Sequence, residues 1–135
     1  MALSTTDTSQ GYLLGRLFSV LEMAEEVAAG GYNLTIRDRY YSIASSTPSA
    51  VFPHLMRLKN YHLAMIGDQG QAADVETLIA EILAELQYFP AHLCLQDQGR
   101  FAVGYYHQRQ SSVNRRERLK INREKPSDSP RYLRL

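Results

Sequence analysis

From Tyr12 the apolar positions Leu14, Leu17, Phe18, Leu21, Ala24 and Ala28 recur every third or fourth residue, the period of a helix with one buried side. The Gly30-Gly31 pair stops this first helix, and the intervening Glu22, Glu25 and Glu26 read as its solvated face. Ile36, Tyr40 and Ile43 mark a short second helix that the Ser-Ser-Thr-Pro cluster at 45–48 ends or bends. Thr47 as N-cap and Pro48 at the first helical position launch a third, with Val51, Leu55, Leu58, His62 and Met65 along one seam. After the break at Gly67-Asp-Gln-Gly70, Asp74 is expected to cap the cleanest amphipathic run, Val75, Leu78, Ile79, Ile82, Leu83 and Leu86. Phe89-Pro90 closes that run. A last helix is predicted over 95–110, with Ala102, Tyr105 and Tyr106 on its inner side. Gly99 and Gly104 each weaken it by roughly 1 kcal/mol, which implies close contact with a neighbouring backbone. No segment alternates as a strand and no repeat is visible, so the expected fold is an all-α single bundle of four or five helices.

Composition adds the partition of the chain. With 135 residues and 44% hydrophobic content, one domain with a real core is expected. Residues 1–9 read as a flexible N-terminal segment, 10–111 as the bundle and 112–135 as a basic, partly disordered tail. The net charge of +1 hides a steep division: residues 1–111 hold seven Lys/Arg against eleven Asp/Glu, and residues 112–135 hold eight against three. One cysteine, Cys94, excludes an internal disulfide framework and multi-cysteine zinc sites, in keeping with a reducing cytosol. No apolar run approaches the ~18–20 residues of a membrane helix. The N-terminus lacks the basic and apolar regions of a signal peptide. A soluble, cytoplasmic protein without membrane partners is expected.

Catalytic chemistry is sparse. His54, His62, His92 and His107 lack partners at metal-ligand spacing, and no glycine-rich phosphate loop or nucleophile elbow occurs. No metal, cofactor or small-molecule substrate is expected. A histidine on an apolar seam, such as His62, is ordinarily a hydrogen-bonded core or boundary residue. One enzymatic pattern stands out: helical ribonucleases of the HEPN type carry an Arg and a His separated by four to six residues, and Arg57/His62 and Arg100/His107 fit that loose spacing. Those motifs usually place a polar residue after the arginine, where this chain has Leu58 and Phe101.

Basic residues interleaved with aromatics are the better lead. Arg37, Arg39, Tyr40 and Tyr41 cluster on the second helix, Arg57, Lys59, Tyr61 and His62 on the third, and Arg100, Tyr105, Tyr106, His107 and Arg109 on the last. Cations so placed reach phosphates without reading bases. Ordinary snorkelling of Arg and Lys around a bundle gives the same composition, so this pattern leaves the partner unnamed and a helical adaptor acting only through protein contacts open.

A longer signature names one. Phe89-Pro90-Ala91, Leu93 and Leu95, Gln98-Gly99-Arg100-Phe101-Ala102 and Gly104-Tyr105-Tyr106-His107-Gln108-Arg109-Gln110 resemble the C-terminal end of the type I-C CRISPR-associated large subunit. The stretches YLLGRLFSVLEMAEE and TPSAVFPHLMRLKNYHL are similar to the same region, so the resemblance covers roughly residues 11–110. In that family the C-terminal part of the large-subunit gene is also made separately, from an internal start, as the small subunit of the Cascade effector. A chain of this length opening with Met1 resembles that product.

The resemblance implies a non-catalytic helical bundle, present in more than one copy, lining an RNA-guided surveillance complex beside its backbone and large subunits. It would stabilise the guide-target hybrid and the displaced non-target DNA strand during R-loop formation. Such a scaffold needs shape and positive charge, because guide pairing supplies the specificity. The residues expected to meet nucleic acid are Arg37, Arg39, Arg57, Lys59, Arg100, His107, Arg109, Arg115 and Arg116. Two features depart from the family pattern. Cys94 stands where a small hydroxyl residue is common at a helix start, and a thiol caps poorly. The chain also continues past YYHQRQ, with the run Arg115-Arg116-Glu117-Arg118-Leu119-Lys120 able to extend the last helix and Pro126 and Pro130 favouring disorder in the final ten residues.

Overall fold

The computed structural model describes residues 3, 4, 6–30 and 36–124, with side chains as far as Asn114. It is an all-α bundle of five helices among these residues, without strands: α1 (Gln10–Ala29), α2 (Ile36–Ser46), α3 (Pro48–Met65), α4 (Gln69–Glu85) and α5 (Leu95–Glu124). The expected disorder of the last ten residues lies outside the described part of the chain.

α1 is the axis of the bundle, and every other helix packs on it, α5 most extensively. A helix apolar on one side only would leave a face to water; α1 instead is buried at every position from Gly11 to Glu22. Gly30, in the left-handed region at φ 67°, ends it. Phe18, fully buried on α1, is the hub, with ring contacts to Tyr41 of α2, Phe52 of α3 and Phe101 and Tyr105 of α5. Phe52 in turn stacks on Phe89 at 5.2 Å, which seats residues 86–94 over the core. Two backbone bonds fix that segment at the α2–α3 junction: Leu93 N to Ser46 O and Ser49 N to Pro90 O, both 2.9 Å.

α1 and α5 run side by side in the same direction, and glycines set their spacing. A Cβ on Gly11 would collide with the Asp97 carbonyl, one on Gly15 with Phe101 and Tyr105 backbone, and one on Gly104 with Tyr12. Gly104 thus has the close backbone neighbour its sequence context predicts. Gly99 does not: it is exposed, and a methyl group added there would meet nothing within 4 Å.

Several local expectations are corrected. α4 is capped by Asp68, whose carboxylate accepts from Gly70 N and Gln71 N, while Asp74 lies exposed inside the helix. Asp68 wins because its own side chain reaches two of the otherwise unbonded first-turn amides. Thr47 occupies the N-cap position of α3, but its hydroxyl donates back to Ile43 O and makes no cap bond. On α3 the buried set is Pro48, Val51, Phe52, Leu55 and Lys59, and Met65 is 54% exposed. Ile43 and Tyr106 also face outward. The last helix runs to Glu124, well beyond residue 110.

Candidate nucleic-acid interface

The acidic residues of α1 do not form a solvated face. Glu22 is 3% exposed and accepts from Tyr105 Oη at 2.6 Å and from Arg109 Nη1 at 2.7 Å, and Arg109 also reaches Glu26 at 3.2 Å. Glu25 is buried and accepts from the Ile36 amide. The reason is the partner helix: α5 brings a cation and a hydroxyl to the carboxylates, which offsets their loss of water. Burial still dominates at Glu22 and pushes its carboxyl above the usual range, with the Tyr105 and Arg109 contacts pulling the other way. Tyr105 is driven well above the ordinary phenol value by burial and by the Glu22 carboxylate. At Arg109 burial works against the charge, but Glu22 and Glu26 outweigh it and raise the guanidinium.

The candidate cations therefore separate by environment. Arg109 is held in the Glu22/Glu26 clasp. Lys59 is buried, with its Nζ 3.4 Å from Glu76 Oε1 on α4. Arg100 bonds Asp97 on its own helix at 2.9 Å. His107 shares a 2.9 Å hydrogen bond between its Nδ1 and Tyr12 Oη, and its Nε2 is buried without a partner. Tyr12 Oη also accepts from the Ser4 amide. Arg115 and Arg116 follow on α5, their side chains outside the described set.

Arg37, Arg39 and Arg57 remain exposed. Arg37 lies over the Tyr105 ring at 5.5 Å and donates to Tyr106 Oη at 3.3 Å. Arg39 and Arg57 belong to a continuous strip across α2 and α3. The Arg39 guanidinium stands 5.8 Å from the Tyr40 ring centre, and Tyr40 Oη meets His54 Nε2 at 3.2 Å with the rings in edge contact. From His54 the helical spacing carries the strip along one side of α3 to Arg57 and then to Tyr61, which is 63% exposed. α3 holds no Asp or Glu at any position. Cation, ring, imidazole, cation and ring thus succeed one another on a surface whose α3 portion has no carboxylate of its own.

Sequence reasoning named Arg39, Tyr40, Arg57 and Tyr61 but not His54 as the link between helices; its i−3 position relative to Arg57 was the available signal. It also grouped Lys59 with Arg57, and only packing separates them. For the ribonuclease pattern the placements are adverse. His107 has one ring nitrogen bonded to Tyr12 and the other shut from solvent, and Arg100 is paired with Asp97. Arg57 and His62, five positions apart on one helix, project in different directions. His62 has a buried, unbonded Nδ1, and burial lowers its basicity. Among the described residues no cluster of three or more His, Cys, Asp or Glu is placed to hold a metal ion, and no helix is long and apolar enough to cross a membrane.

The family model for CRISPR-associated protein Cas_Csd1 matches residues 1–113, which is most of the chain and all of the strip. The chain belongs to the Cas_Csd1 family. No curated protein matches it. Membership makes it a type I-C Cascade-associated protein, and the Cas_Csd1 match ends one residue past Ser112, within the part of α5 that lies along α1.

Proposed function

We propose that this chain is the small, non-catalytic subunit of the type I-C Cascade. It lines the complex and stabilises the guide-target hybrid and the displaced non-target strand while the R-loop forms. The observation that carries this reading is the Arg39–Tyr40–His54–Arg57–Tyr61 strip. Cations interleaved with a half-buried ring, Tyr40, and an exposed one, Tyr61, suit a phosphate backbone and unstacked bases without reading their identity. An RNA-guided assembly requires that of a scaffold, because base pairing reads the sequence.

Contacts with the backbone and large subunits, and with further copies of the chain, fall in this reading to the outer side of α5. There Val103, Tyr106 and Val113 are exposed at three- and four-residue steps with Gln110 among them. Arg37, bonded to Tyr106, belongs to that side. The working compartment is the cytoplasm, where guide and target meet, and no cofactor or small-molecule substrate is involved.

The test is reconstitution of the complex with its other subunits and guide RNA, comparing R-loop formation with the parent chain and with R39E/R57E. Loss of R-loop yield that is greatest at low salt and shrinks as salt is added supports the strip as a phosphate track. Unchanged R-loop formation, or polynucleotide cleavage by the isolated chain, overturns the reading.

A further inference from the structure

Two cations are buried among the described residues, and they are treated differently. Lys59 faces Glu76, whereas Arg16 of α1, 7% exposed, has no carboxylate within ion-pair distance among those residues. Its Nε donates to Gln108 Oε1 at 2.9 Å, and the Gln108 amide nitrogen lies 3.3 Å from Ser112 Oγ. The two Nη groups take no hydrogen bond among the described residues, yet they are not sealed from water. Burial works against the charge, and Glu81 of α4 acts on it from beyond ion-pair range. Buried charges are ordinarily paired, and this arginine is held at its Nε alone among the described residues, which leaves both Nη groups as available donors.

We propose that Arg16, linked through Gln108 to Ser112, is a phosphodiester anchor on the α1–α5 seam, where one phosphate of a bound nucleic-acid strand docks. This rests on the nucleic-acid reading above and adds a contact distant in sequence from the α2–α3 strip. A guanidinium fork offers two parallel donors matched to two oxygens of a phosphate, and the Ser112 hydroxyl can supply a third donor. A polyanion is favoured over a single protein carboxylate because the sequence after Ser112 is rich in cations, with Arg115, Arg116, Arg118 and Lys120 within the next eight positions. A lone carboxylate would have no use for that succession of cations.

The experiment uses the full 135-residue chain, with folding of each variant checked by its thermal transition. Binding of labelled oligothymidylate is measured across a salt series, and the thermal shift with pyrophosphate is measured in parallel. R16Q is expected to weaken oligonucleotide binding and to flatten the plot of log affinity against log salt by about 0.7, the increment for one phosphate of a single strand. S112A should give a smaller loss, and E81Q, at an exposed position, a gain. Should R16Q fail to fold, R16K and E81Q read the same site, the first losing the fork while keeping the charge. A folded R16Q with unchanged affinity and slope overturns the anchor. So does loss of the pyrophosphate shift in R16Q with oligonucleotide binding intact, which would make this a small-anion site. Binding lost in R39E/R57E but unaltered in R16Q removes the anchor alone. Absence of any oligonucleotide binding by the parent chain at low salt removes both readings together.

Discussion

Gly104 of α5 abuts the backbone of Tyr12 on α1 so closely that a methyl group in its place would lie 3.0 Å from the Tyr12 carbonyl carbon and closer still to its oxygen. The obstacle is the backbone of a buried residue, Tyr12, and Phe101 and Tyr105, near Gly104 in sequence, are fully buried too. G104A should therefore destabilise the fold by about 1–3 kcal/mol or more through overpacking. G15A, which meets Phe101 and Tyr105 backbone, should do the same. G99A has open space and should stabilise the fold by up to about 1 kcal/mol through helix propensity. Thermal or urea denaturation of the three variants checks the contrast, and equal effects would contradict the packing described.

The buried Glu22 makes stability depend on pH. Its carboxyl is raised in the fold, chiefly by burial, so across the window upward from the ordinary carboxyl range the native state holds more protons than the unfolded chain. The stability contributed at this site is then present at acid pH and falls as pH rises through that window. E22Q keeps an acceptor for Tyr105 Oη and removes the titration. Its stability relative to the parent should improve as pH rises from about 4, the ordinary carboxyl range, measured by denaturant midpoints; a constant difference would mean that Glu22 ionises normally.

Capping distinguishes two aspartates six residues apart. D68A removes the acceptor for Gly70 N and Gln71 N and should cost about 1 kcal/mol, whereas D74N, at an exposed position inside α4, should stay within about 0.5 kcal/mol of the parent. Helix-region hydrogen exchange at the start of α4 offers a local check.

The cations of α3 should separate folding from binding. R57A, at an exposed site, is expected to leave stability within about 0.5 kcal/mol of the parent and to weaken nucleic-acid binding. K59A empties a buried position opposite Glu76 and should lower stability by about 1–3 kcal/mol. If K59A were neutral in stability and R57A were not, the assignment of roles on α3 would be reversed.

The number and order of the helices were legible because glycine pairs, prolines and three-to-four spacing punctuate the chain, and the Gly30 stop and Pro48 start both stand in the structure. What escaped was set by tertiary contact. Phe52 and Phe101 lie off the seams that periodicity selects, yet both are fully buried, because α1 is surrounded and recruits rings from three helices. Glu22 looked solvated because its partners, Tyr105 and Arg109, come from more than eighty residues away. The same distance hid Arg16, whose partner Gln108 is 92 positions on. Of the candidate site, sequence supplied the residue types, and the fold supplied which of them are occupied within the bundle.

α5 begins level with α1 and outlasts it, thirty residues to twenty. The surplus is about ten residues, roughly 15 Å of helix beyond the end of its main support. That overhang carries Arg115, Arg116, Arg118, Lys120 and Arg123 in its sequence. A shaft packed along α1 at its root and cationic in sequence beyond it works as an outrigger: a load on the far end exerts torque on the glycine-spaced seam. Under the proposed reading, a strand held at that end would be mechanically joined to packing at the axis.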